Sequence, residues 1–238
     1  MIAVNAEGIA QQARSLQDHA KPHVKVLCVA NPANTNTLVA IHAASRLPAR
    51  NFSCLSRLDH ERLRGMVSKW CGARVKDLVV WGNHSQTQVP YLLASTFISD
   101  GEERKVVDRE GADEYLPEVI KRVQKRGAEV LKALGVSSAM SAAVAISYHL
   151  RDWCGEGASE EMFSMGMLST GDHYGVPAGI VFSFPCTRTA SNQIEIVQGL
   201  PITEEVRTML ESSADELFSE KREAEEIVGK ISVSESRL

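Results

Sequence analysis

The sequence predicts an α/β chain: a short opening portion built around one parallel-type strand, then a larger mixed α+β portion carrying an antiparallel sheet. Three observations lead there. Val24 to Ala30 is a nearly unbroken apolar run between two helical patterns, as strands covered on both faces are. Met162–Leu168, Val176–Phe184 and Gln193–Val197 are β-prone segments separated only by short turn clusters, which suits a meander. Long stretches with 3.6-residue apolar spacing lie before and after them.

In chain order, Ile9, Ala13, Leu16 and Ala20 share one face of a helix over residues 3–21, closed by Pro22. The strand at 24–30 follows and ends in Asn31-Pro32-Ala33-Asn34-Thr35-Asn36. Asn before Pro turns the chain, and Thr35 or Asn36 is placed to cap a helix running to about Arg46. In α/β sheets ligands bind beyond the carboxyl ends of strands, which is where Asn31 falls. Leu55, Leu58, Leu63, Met66, Val67 and Trp70 then predict a helix over 53–70, with Ser56-Arg-Leu-Asp59 in the form of a capping box. Leu78–Trp81 reads as a buried strand that runs into Gly82-Asn83-His84, with Pro90 stopping the polar tract beyond. Asp100-Gly101 suggests a hairpin turn.

A helix follows over 113–134, its stripe formed by Leu116, Val119, Ile120, Val123, Val130, Leu131 and Leu134, with Pro117 in its first turn and Gly135 as C-cap. Small residues over 138–146 predict a helix able to pack closely on a neighbour. Thr203 opens a charged amphipathic helix over 203–230. This pattern divides the chain at about residue 52, into portions 1–52 and 53–230 with a tail at 231–238.

The composition excludes several classes. With 44% hydrophobic and 24% charged residues, the 238-residue chain has the balance of a soluble globular protein. No apolar run approaches the roughly 20 residues that span a bilayer, so no membrane partner is expected. A net charge of −4 argues against a nucleic-acid partner. Cys28, Cys54, Cys71, Cys154 and Cys186 form no CxxC pair and no zinc-type spacing; buried free thiols in a reducing compartment, and no metal site, are expected. The first residues lack the order of a secretory leader.

Two local features carry chemistry. His84 stands at the end of a strand, and imidazole titrates nearest physiological pH, which suits proton transfer; a histidine that merely satisfies a loop carbonyl is the reading these residues alone favour. Asp59 and Arg62 lie on one helix face, where capping and a solvated charge are equally good accounts. A hydrolase built on His84, Asp59 and a serine finds no G-x-S-x-G elbow.

Taken in order, Asn31–Asn36, Asn51–Arg62, Trp81–Gln88, Ser137–Ala143, Phe163–Gly166, Tyr174–Pro177, Phe184-Pro185 and Glu195–Pro201 resemble the cytosolic-type malate dehydrogenases of the lactate/malate dehydrogenase family. The resemblance runs from about Asn5 to Glu220. It implies the second half of a dinucleotide-binding Rossmann sheet followed by a catalytic domain. It also implies NAD-dependent oxidation of L-malate to oxaloacetate in the tricarboxylic acid cycle, and a homodimer. His84 matches the proton relay, Asp59 the carboxylate that holds it, and Arg62 the anchor for the substrate carboxylate. Asn31 matches a residue touching substrate and cofactor, and Ser138 a pocket-lining position. Val29, Ala30, Asn5 and Gln12 match further cofactor contacts.

The family's glycine-rich turn has no counterpart here, since no glycine lies between Gly8 and Gly65. The loop whose two arginines select a dicarboxylate has none either. The expectations are therefore a chain lacking the N-terminal part of the NAD-binding domain, weak NAD binding, poor turnover alone, and an unpaired apolar edge on the strand at 24–30. A non-catalytic binding or dimerising module is the competing reading. Ser236-Arg237-Leu238 resembles a peroxisomal address, so cytoplasm and peroxisome-type import are both open.

Overall fold

The computed structural model describes residues 2–136 and 138–231, with side chains except at 2–4 and 134. Ser137 and the terminal Ser236-Arg237-Leu238 lie outside the described residues. Small residues on one face of α1 (Ile2–His19) explain its seat: Ala6, Ala10 and Ala13 are buried and admit α2 (Ala33–Ala43) at close range. Between these helices runs β1 (Val26–Cys28), parallel to β2 (Phe52–Cys54), with Val26 opposite Phe52 and Cys28 opposite Cys54. A 3-10 turn at Ala49–Asn51 leads into β2.

Two sequence expectations give way here. Ser53 and Cys54 belong to β2, and the helix predicted from 53 is α3 (Arg57–Cys71). The α2 helix begins at Ala33 with Pro32 as its N-cap, so Thr35 and Asn36 lie inside it. Their side chains serve distant partners instead. Thr35 donates to Glu220, and Asn36 Nδ2 donates to the Ala30 carbonyl at 2.9 Å.

The meander forms as β8 (Phe163–Leu168), β9 (Val181–Arg188) and β10 (Ile194–Ile196), antiparallel throughout, with β9 beginning five residues later than the apolar pattern suggested. It joins the parallel pair in one five-stranded sheet, in the order β1-β2-β8-β9-β10. The junction is the single pair Cys54–Gly166. A Cβ on Gly166 would fall 2.0 Å from Cys54 Sγ, so only glycine lets β8 approach β2. β1 ends the sheet and pairs with β2 alone among the described residues.

Beside this sheet, β3 (Val75–Lys76) pairs with β6 (Thr96–Ser99) and β7 (Glu102–Lys105), and β4 (Val79–Trp81) pairs with β5 (Val89–Tyr91). Asp100 and Gly101 turn the β6–β7 hairpin with positive φ at both positions, as the Asp-Gly pair predicted. Pro90 does not stop the polar tract; it sits within β5, opposite Val80.

Helix α4 (Ala112–Leu134) packs Leu116, Val119 and Val123 with Leu63, Val67 and Phe97, but Leu131 is exposed. Its apolar stripe therefore outruns the core. Pro117 lies in the second turn, not the first. Ala145 of α5 (Ala139–Cys154) packs with Leu55 and Leu58 at the start of α3. Helix α6 (Glu204–Val228) starts at Thr203, whose hydroxyl caps Val206, and buries Leu210, Ala214 and Leu217 against Trp81, Phe182 and Phe184. No described helix is long and apolar enough to cross a membrane.

Candidate active site

The carboxyl ends of β1 and β4, the start of α3, the end of α4 and the start of α5 enclose a cleft of about 490 Å³. Val29, Asn31, Asp59, Arg62, His84 and Ser138 all line it. Asn5, Gln12 and Ala30 do not.

Ser56 does not cap α3 through its side chain. Its hydroxyl accepts from Ser183 Oγ at 2.8 Å, which frees Asp59 from a capping box. Asp59 is 1% exposed and divides its two oxygens. One meets His84 Nδ1, the other accepts from Arg62 Nη1 at 3.2 Å. Arg62 Nη2 also donates to Ser138 Oγ at 3.1 Å. The Asp59 charge raises the His84 pKa above the ordinary histidine value; burial opposes this, the Asp59 hydrogen bond adds to it, and Arg62 works against it. With Nδ1–H directed at Asp59, the lone pair on Nε2 is the one left for a ligand.

His84 reaches this position because Gly82 adopts φ +89°. Gly82 also forms a bridge to Ser183, and a Cβ there would sit 2.3 Å from Ser213 Oγ. Two constraints thus select glycine, one conformational and one steric. Asn34 then fixes the turn from the opposite side. Its Nδ2 lies 2.9 Å from the Val181 carbonyl and 3.2 Å from that of Gly82, and its Oδ1 accepts from the His84 amide at 3.0 Å. Sequence reading passed over Asn34 as one polar residue of a turn; only its position at the buried start of α2, facing β9 and the His84 loop, distinguishes it.

Val29 and Asn31 sit at the rim, and the remaining candidates lie outside the lining. Val29 is 41% exposed beside the cleft, and Asn31 adjoins it. Asn5 Nδ2 donates to the Asn31 carbonyl at 2.7 Å, holding the turn from α1. Gln12 is exposed on α1, and the Ala30 carbonyl is occupied by Asn36. Among the described residues, no group of three or more His, Cys, Asp or Glu is arranged to hold a metal ion.

The arrangement is a polarised imidazole beside a cationic fork, backed by the apolar Leu55 and Leu58. It suits transfer of a proton to or from an oxygen of a bound carboxylate.

Residues 56–228 match the family model for the lactate/malate dehydrogenase, alpha/beta C-terminal domain. The chain is 44% identical over 215 residues to the cytoplasmic malate dehydrogenase of Zea mays, covering 88% of this chain and 64% of that protein. It is 41% identical over 233 residues to the cytoplasmic malate dehydrogenase of Rattus norvegicus, covering 96% of this chain and 69% of that one. Among solved structures, Trichomonas vaginalis lactate dehydrogenase in complex with NADH and oxamate aligns with a TM-score of 0.90 at 34% identity, covering 96% of this chain and 70% of that one. Malate dehydrogenase from Naegleria fowleri aligns with a TM-score of 0.85 at 34% identity, covering 95% of this chain and 68% of that one. The chain thus spans less than two thirds of the length of the plant relatives it matches, 64% in each case. The match nevertheless takes in α3, the His84 loop and the meander, and the chain belongs to the lactate/malate dehydrogenase family.

Proposed function

We propose that this chain carries the proton-relay and substrate-anchoring part of an NAD-dependent malate dehydrogenase interconverting L-malate and oxaloacetate. The observation that carries the reading is the joining of His84, Asp59 and Arg62 in one cleft through a shared carboxylate.

His84 Nε2 takes the proton from the C2 hydroxyl of malate and returns it to the keto oxygen of oxaloacetate. Asp59 fixes the imidazole's orientation and stabilises its protonated form. Arg62 presents a planar pair of N–H donors to the C1 carboxylate, which a lysine would not reproduce. Ser138 holds that fork until substrate arrives, and Asn31 faces the reacting carbon from the rim. Val29 and Asn31 would hold the nicotinamide end of NAD, which would supply the acceptor for the C2 hydride.

The donor set fits the nicotinamide end of this cofactor, with Val29 offering an apolar contact and Asn31 polar groups at the cleft edge. It offers no glycine-rich turn for the pyrophosphate. Asn5 supports the nicotinamide seat through Asn31, while Gln12 and Ala30 stand farther out. The division near residue 52 then separates cofactor contacts from relay and anchor, although a single sheet spans it. A homodimer is the proposed assembly. The cytoplasmic relatives support a cytoplasmic location, and Ser236-Arg237-Leu238 makes peroxisome-type import the alternative.

The test is malate-dependent NADH formation by the purified chain, with binding of NAD followed separately by fluorescence. His84→Asn is expected to reduce turnover by about 100-fold or more while sparing NAD binding. Equal loss of turnover and binding would reject the relay role.

A further inference from the structure

The His84 loop is held by α6 through Ser213, Glu216 and Glu220, none of which lines the cleft. Asn83 Nδ2 places its two hydrogens on two different carboxylates, Glu216 Oε2 at 2.8 Å and Glu220 Oε1 at 2.9 Å. The Ser85 and Thr87 hydroxyls also reach Glu216 Oε2. The Asn83 amide donates to Ser213 Oγ at 2.8 Å, one helical turn earlier on the same face of α6. Glu220 accepts in addition from Thr35, inside the helix that follows the β1 turn.

We propose that Glu216 is a positioning residue for the relay histidine, clamping the chain on both sides of His84, and that Glu220 ties this clamp to α2. The inference rests on the reading of His84 as the relay.

The chemistry of the acceptor favours this over a simple helix contact. An ionised carboxylate can only accept, so Asn83, Ser85 and Thr87 converge on it without competing donors. A glutamine in its place keeps one acceptor oxygen for these three donors but loses the charge. Bonds to an ionised acceptor are also roughly twice as strong as neutral ones. The groups facing His84 are Asp59 and Arg62 of α3; Glu216 acts on it through the backbone of residues 83–85. Glu220 is surrounded by Thr35, Asn83, Glu216 and Glu223, and burial raises its pKa first, while the Thr35 and Asn83 bonds oppose this. Its bonded groups lie in α2 and in the His84 loop.

The test reads His84 directly, by nuclear magnetic resonance of the labelled imidazole and by amide hydrogen exchange at residues 83–85 in the free full chain. Glu216→Gln is expected to lower the His84 titration midpoint toward the ordinary histidine value, because the ring loosens from Asp59. Exchange at His84 and Ser85 should accelerate by about tenfold. Asp215→Asn, on the exposed side of α6, should leave both unchanged. An unchanged midpoint and exchange in Glu216→Gln would overturn the proposal, even if the melting temperature fell. Should that variant not fold, Ser85→Ala combined with Thr87→Val removes two of the three donors and leaves α6 intact, with the same two outcomes. These measurements need no turnover. Their failure leaves the dehydrogenase reading standing, whereas equal loss of turnover and NAD binding in His84→Asn would count against that reading alone.

Discussion

The two sides of the cleft are built to different standards. On the relay side, Gly82, Asn83 and His84 are held by Asn34, Ser183, Ser213, Glu216 and Asp59, from four separate elements. On the side of the proposed cofactor contacts, Val29, Ala30 and Asn31 are exposed and leave the end strand of a sheet, with Asn5 and Asn36 as their side-chain partners. The lesson is that the proposed relay histidine is set in place by the folded chain itself. What the described residues offer to the proposed cofactor is one apolar side chain and a turn.

Substitutions can break or sharpen that contrast. The largest effect is expected at Gly82→Ala, where a side chain meets both a left-handed backbone and Ser213. A loss of about 3 kcal/mol or more in a denaturant titration is expected, and a loss under about 0.5 kcal/mol would show that the loop can shift. Asn34→Ala comes next. It strips partners from the His84 amide and two buried carbonyls, at a cost of about 2–4 kcal/mol in the same titration.

Asp59→Asn tests the electrostatics. The folded pKa of His84 is raised, so its contribution to stability is fully present below the unfolded value near 6.5 and is lost as pH rises through the higher folded value. Each unit of elevation is worth about 1.4 kcal/mol. In Asp59→Asn, the histidine-linked fall in melting temperature across that window should flatten; a slope equal to that of the unaltered chain would place the proton elsewhere. The smallest effect belongs to the rim. Val29→Ser should change stability by no more than about 0.5 kcal/mol, because the side chain is already exposed, while weakening NAD binding measured by fluorescence.

Much of this molecule was legible in its residues. Asp100-Gly101 encoded its hairpin and the three β-prone runs their meander, because each depends on neighbours in sequence. The joining of Asp59 and Arg62 followed from helical spacing. What stayed hidden depends on long-range pairing. Asn34 and His84 are 50 positions apart, and Asn83 and Glu216 are 133 apart. Nothing local marks a glutamate on a charged helix as the support of a loop. The misplaced start of α3 has the same cause: Leu55 follows a helical rhythm, but pairing with β1 draws Ser53 and Cys54 into the sheet.

Asp59 gives one carboxylate to two masters. Because its oxygens serve Arg62 and His84 together, the anchor and the relay cannot be altered independently. An anion that draws Arg62 away leaves more of the Asp59 charge to the imidazole and tightens its hold on a proton. By reciprocity, a protonated imidazole favours the anion in equal measure. Occupancy of the cleft and uptake of a proton are thus thermodynamically linked through a single side chain.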